Sequence, residues 1–156
     1  MANSISMAQN GKAFTEKKTF SRTTTITQSI DADAAIIWAL LTNATDMARW
    51  NSTIVSLEGT IAADEKIKLV STIDSSRTFK LKIKNFTSEQ KLAWGDAMGT
   101  RIFILKETDG KVQFTMTEKI GGLIFPLFAK QIPSFDESFE QFTADLKKEA
   151  EFIAKE

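Results

Sequence analysis

Between Thr78 and Phe86 the chain alternates with a period of two, placing Phe79, Leu81 and Ile83 on one side and Lys80, Lys82 and Lys84 on the other. Successive side chains of a strand point to opposite faces, so this pattern predicts a strand with one buried face and one solvated, cationic face. Lys66, Lys68, Ile67 and Leu69 repeat the pattern within Lys66 to Ile73. The run Phe20 to Ile30 alternates as well. Arg22, Thr24, Ile26, Gln28 and Ile30 share one face, and Ser21, Thr23, Thr25, Thr27 and Ser29 form a wholly polar second face. Thr53 to Glu58, Lys91 to Trp94, Thr100 to Glu107 and Lys111 to Ile120 have strand composition and short connections, which predicts an antiparallel meander after the opening strand.

Helical spacing occupies the rest. Ala34, Ile37, Trp38 and Leu41 predict a helix ending near Asn43, with Asp31 or Asp33 as its cap, and Thr45 or Asp46 starts a short second helix through Met47 to Trp50. From Ser134 onward Phe135, Phe139, Phe142, Leu146, Ala150 and Ile153 recur every three or four residues to the C-terminus. Pro133 precedes this run, and Ser134 with Glu137 has capping-box spacing. A helix of about 20 residues spans roughly 30 Å, the width of a sheet. Residues 1–19 are polar and lack sustained periodicity, so they read as a mobile tail before a single domain at 20–156.

The turn Asp109-Gly110 fixes one register. Both central residues of a type I′ turn need positive φ, which Asp-Gly tolerates. With Thr108 opposite Lys111, Leu105 faces Phe114, Phe103 faces Met116 and Arg101 faces Glu118, all on the apolar face of the hairpin. Arg101 and Glu118 therefore point inward. The pair admits two roles, orienting the polar group of an apolar ligand or closing a structural ion pair. Phe103, Met116, Phe114, Phe79, Leu81, Phe135 and Phe139 line or fill the space beneath the long helix. Trp50 and Trp94 either stack on a flat ligand or pack in the core. The connection Gly121 to Ala129 is unusually apolar: two glycines suit a hinge, and Phe125, Leu127 and Phe128 either close a mouth against Met98 or cover the end of the core.

Composition narrows the chemistry. At 156 residues the chain fits one domain that removes roughly 70% of its unfolded surface from water. Twenty basic and twenty acidic residues cancel without long runs, which argues against nucleic acid and against a polybasic membrane patch. There is no Cys, His or Tyr, so disulfides, thiolate nucleophiles, imidazole bases and the common zinc sites are excluded, and any proton transfer falls to Asp, Glu or Lys. No apolar stretch reaches the roughly 18 residues of a membrane span, and a signal-peptide core is absent from the N-terminus, so a cytoplasmic location is expected. No metal or cofactor is expected, and an exposed edge strand leaves a homodimer or protein partner open.

The opening strand FSRTTTITQSID, the helical segment AAIIWALLTNATDMARWN with Trp38 and Trp50, and the terminal FDESFEQFTADLKKEAEF carry a resemblance to the START-like (SRPBCC) superfamily, over Phe20 to Ile153. The similarity is nearest to its polyketide cyclase/dehydrase-like members. The resemblance implies an α+β helix-grip fold of the Bet v 1 type, a curved seven-stranded antiparallel sheet wrapped round a long C-terminal helix, with a hydrophobic cavity between them. It further implies binding or transport of a hydrophobic or aromatic small molecule such as a lipid or polyketide. Two alternatives belong with it. One is a polyketide cyclase or dehydratase in which Glu118 moves a proton and Arg101 stabilises an enolate; the other is an interaction module like the Hsp90-activator domain.

Overall fold

The computed structural model describes residues 9–156, so the expectation of a mobile tail lies outside it for residues 1–8. An antiparallel sheet of eight strands runs in the order β1-β2-β8-β7-β6-β5-β4-β3. The strands are β1 (Phe14–Lys17), β2 (Ser21–Ile30), β3 (Ile54–Gly59), β4 (Lys66–Ser71), β5 (Asp74–Thr87), β6 (Lys91–Gly95), β7 (Gly99–Thr108) and β8 (Lys111–Gly121). Helices α1 (Ala34–Thr42) and α2 (Ala44–Trp50) separate β2 from β3, α3 (Phe125–Phe128) with a 3-10 turn follows β8, and α4 (Asp136–Ala154) ends the chain. This is the helix-grip arrangement, with one strand more than the sequence predicts.

The extra strand takes Phe14–Lys17 out of the stretch expected to be a tail. Strand β1 pairs with β2 from Phe14 opposite Thr25 to Lys17 opposite Arg22. Upstream, the Gly11 amide donates to the Thr27 carbonyl, and the Ser29 amide donates to Asn10 Oδ1 at 2.6 Å. Four residues are too few for a periodicity signal, and their partner edge becomes visible only when β2 is in place.

Register follows the turn chemistry. Asp109 and Gly110 have φ of 54° and 76°, and β7 pairs with β8 in the expected register, Arg101 opposite Glu118 included. Register shifts at Ile54/Ser56, Leu69/Ser71 and Ile83/Asn85 bulge the β3–β6 half of the sheet, and bulges bend strands, which curves that half over the helices. Into the hollow go Phe103, Phe114, Phe139, Phe142, Met116, Ile37, Leu41 and Met47, each at most 1% exposed. Lys66, Lys68, Lys80, Lys82 and Lys84 stand exposed on the outer face.

The helix starts differ from the sequence-based caps. Asp33 occupies the position before α1 but makes no side-chain cap; Glu107 reaches across from β7 and accepts the Ala34 amide at 2.6 Å. Helix α4 starts at Asp136, two residues after the expected Ser134, whose Oγ accepts the Asp136 amide at 3.2 Å. The neighbouring Glu151 accepts the Asp31 amide and the Lys147 ammonium. Burial pushes its carboxyl up, yet these two donors together with the charges of Lys147 and Lys155 hold it below its ordinary value.

Because the α1 cap is supplied by a distant strand, Glu107→Ala is expected to cost about 1 kcal/mol in urea unfolding, while Asp33→Ala costs less than half as much. Equal costs would show that Asp33 is the working cap.

Candidate ligand-binding site

The inward face of β2 is unusually polar for a buried surface. Arg22, Thr24 and Gln28 are at most 8% exposed, alongside Ile26 and Ile30 at 0%. Cross-strand register sets Thr24 beside Glu118 and Glu118 beside Arg101, so three polar side chains line up across β2, β8 and β7. Arg101 Nε donates to Glu118 Oε1 at 2.7 Å, with the two side chains 12% and 18% exposed. The Arg101 guanidinium also lies 5.0 Å from the ring centre of Phe139 and 5.9 Å from that of Phe142.

Arg22 builds the matching contact one helical turn earlier. Its Nη1 and Nη2 donate to the carbonyls of Ile132 and Pro133 at 3.0 and 2.8 Å, and its guanidinium sits 4.8 Å from the Phe135 ring centre. Phe135 and Phe139 stack on each other with centroids 6.2 Å apart and planes at 11°. Burial pushes the Arg22 guanidinium below its ordinary value, against the opposing influence of Glu118 and Asp136, but arginine starts so far above neutrality that it stays charged. A second polar chain runs beside it: Thr15 Oγ1 donates to Asp136 Oδ1 and lies 3.0 Å from Thr24 Oγ1.

In front of Arg22 a concavity of about 550 Å³ opens to solvent. Its floor is Arg22, Thr15, Ser21, Ser134 and Asp136, its apolar wall is Phe125, Ala129 and Ile132, and its rim carries Lys17, Lys18 and Lys130. Four cations thus meet one carboxylate, and Thr15 already engages that carboxylate. A neutral chain has concentrated positive charge at one place. A second, smaller hollow of about 340 Å³ lies at the Gly110 end of the hairpin among Asp31, Asp33, Glu151 and Lys155.

The structure separates the sequence-predicted residues into groups. A side chain lining a water-sized cavity keeps accessible surface, yet Phe103, Phe114, Met116 and Phe139 are each 0% exposed, so they fill the grip rather than line it. Trp94, 2% exposed, packs edge-on against Phe103 at 4.8 Å, and Trp50 packs edge-on against Phe142. Phe79 and Leu81 are half-buried on β5, opposite Leu69 and Ile67 and four places from β2 in the sheet. Phe125 reaches the concavity wall, and Phe128 packs edge-on against it at 5.8 Å. Phe135, 9% exposed, lies under Arg22, and Met98 is exposed at the same end of the molecule. Arg101 and Glu118 are joined behind the concavity and do not form its wall.

The rim and floor residues Thr15, Lys17, Lys18, Lys130 and Asp136 escape sequence reasoning. They come from segments more than a hundred positions apart that only the β1–β2 pairing and the connection before α4 bring together. Arg22 carries a signal, its place on the face of Ile26, but strand alternation alone does not say whether that face turns inward.

No protein-family model matches the chain, and no curated protein matches it. Solved structures do. Protein NE0264 from Nitrosomonas europaea aligns over 90% of this chain and 100% of its own with a TM-score of 0.69 at 11% identity. The Zhui aromatase/cyclase from Streptomyces sp. R1128 aligns over 84% and 94% with a TM-score of 0.66 at 12% identity. CalU16 from Micromonospora echinospora aligns over 92% and 90% with a TM-score of 0.59 at 12% identity. At these identities the likeness establishes the shared fold, and function does not follow from fold.

Removing one partner of a mostly buried ion pair strands the other, so Glu118→Leu is expected to cost about 3 kcal/mol in urea unfolding, with Arg101→Met/Glu118→Leu recovering most of the loss. A double variant as unstable as the single one would show that the pair contributes net stability in its own right.

Proposed function

We propose that this protein binds an amphipathic small molecule, with a hydrophobic or aromatic body and an acidic head, at the mouth of the grip, and acts as a carrier. The observation that supports this most is the cationic concavity in front of Arg22. Its four positive side chains suit a carboxylate, sulfonate or phosphate, while Phe125, Ala129 and Ile132 offer apolar surface to the body of the ligand. The filled interior moves the ligand from the cavity between sheet and helix, where the family resemblance implies it, to the end where sheet, α3 and α4 meet. Ligands with long apolar bodies would then require α3 to shift. Phe125 is its buried residue, and Gly122, at φ 139° with open space where a Cβ would stand, is the pivot before it.

A cyclase reading has less support. It would require substrate to reach Glu118, whose carboxylate is engaged by Arg101 behind the concavity. Among the described residues no helix is long and apolar enough to cross a membrane, which is compatible with a carrier free to move between sites.

Binding of 1-anilinonaphthalene-8-sulfonate, an anionic aromatic amphipath, followed by displacement with decanoate and with decanol, tests the proposal. Decanoate should displace the probe more effectively than decanol, and Lys17→Ser/Lys18→Ser/Lys130→Ser should weaken decanoate on the order of tenfold. Equal displacement by acid and alcohol, or an unchanged triple variant, would sink it.

A further inference from the structure

The mouth end carries a second feature that ligand binding in the concavity does not use. Leu123, Ile124 and Leu127 are 88%, 59% and 81% exposed, beside a buried Phe125 that anchors the segment. Backbone hydrogen bonds tie two further loops to it. The Gly122 amide donates to the Phe20 carbonyl at 3.0 Å, and the Gly121 amide donates to the Met98 carbonyl at 2.9 Å. Phe20 and Met98 are themselves 53% and 38% exposed. Three loops thus present five apolar side chains at one end of the sheet. Asp96, the carboxylate of the β6–β7 loop, is turned back onto the amides of Met98 and Gly99.

Cations adjoin this apolar tip. Lys17, Lys18 and Lys130 are exposed on the rim of the neighbouring concavity, and Lys130 lies three residues from Leu127. Protruding leucines adjoined by lysines match the depth profile of a lipid surface, in which an apolar tip enters the acyl boundary while ammonium groups stay at the phosphates. We propose that this end docks on the surface of an anionic phospholipid bilayer, with Leu123, Ile124 and Leu127 inserted and Lys17, Lys18 and Lys130 at the headgroups. Docking would hold the mouth of the concavity at the bilayer. The proposal does not rest on ligand binding: it shares the lysines with the concavity, but the leucines form no part of the concavity wall.

Vesicle co-sedimentation with the full chain tests it, using phosphatidylcholine vesicles with and without roughly 30% phosphatidylserine. Association is expected with the anionic vesicles, falling at least about tenfold on pure phosphatidylcholine or in about 0.5 M salt, since each lysine near such a surface contributes roughly fivefold. Leu123→Asp/Leu127→Asp should abolish it while leaving far-ultraviolet circular dichroism unchanged. Because the chain has no cysteine, Leu127→Cys and Lys80→Cys each accept a single environment-sensitive fluorophore. A blue shift with vesicles is expected at position 127 and none at position 80 on the outer face. The proposal is overturned by absent association, by association that survives the double aspartate variant, or by a blue shift at both positions. It is also overturned if the protein is a dimer without lipid and the aspartate variant is a monomer, which would give the apolar tip to a second copy.

Discussion

Two arginines held against two stacked phenylalanines join the long helix to the sheet, and much of the architecture at the functional end depends on that join. Arg22 on β2 covers Phe135 and Arg101 on β7 covers Phe139, while the rings stack on each other one turn apart at the start of α4. A partly desolvated cation–π contact contributes on the order of 1–2 kcal/mol. Its geometric consequence matters more. Arg22 spends two of its donors on the Ile132 and Pro133 carbonyls and so fixes the path of the connection into α4. That path leaves a gap between the connection, β1 and β2, and the gap is the concavity. The same side chain braces the fold and forms the floor of the site.

The packed interior supports placing the proposed site at the mouth. A grip fold can leave space between sheet and helix when the facing side chains are small, but here Phe103 is in aromatic contact with Trp94, Phe114 and Phe142. Close packing of this kind rewards filling and penalises voids. The polar side chains Arg22, Arg101, Glu118 and Asp136 are gathered instead at the end where the proposed site opens. Sharing a fold with a named aromatase/cyclase is compatible with this difference, since the fold fixes the grip but not what occupies it.

How far all this was legible in the sequence depends on the range of the interaction concerned. The β7–β8 register could be read to the residue, because a two-residue turn is specified by its own two residues. The existence of β3 to β8 followed from alternation and strand composition, but β5 begins at Asp74, four residues before the expected Thr78, and β4 ends at Ser71 rather than Ile73. The resemblance to helix-grip proteins supplied the overall plan but one strand too few. Strand β1 was lost because FTEK is too short to show a period and its partner is supplied by pairing. The caps were legible in part: Ser134 sits two residues before its helix yet accepts the Asp136 amide, whereas the amide of Ala34 finds Glu107 from another element altogether. The inward pair Arg101–Glu118 was placed correctly from register, yet whether its neighbours lined or filled a cavity depended on packing volumes that alternation does not encode.

Formal neutrality conceals two positive regions with different physical logic. On the outer face Lys66 stands opposite Lys82 and Lys68 opposite Lys80, an arrangement that costs stability because like charges face each other. Glu58 beside Lys68, and Asp64 at 4.0 Å from Lys82, offset it in part, and both are solvent-exposed. An exposed sheet face near an open edge is a liability for association between chains, and a repelling lysine row suppresses it. At the mouth one pair of cations also faces across a ladder, Lys17 opposite Arg22, but the lysines there surround a hollow and adjoin exposed leucines. Repulsion is useful on the outer face and attraction at the mouth, and the difference lies in what adjoins the charge: alternating strand backbone in one case, an apolar tip and an open concavity in the other.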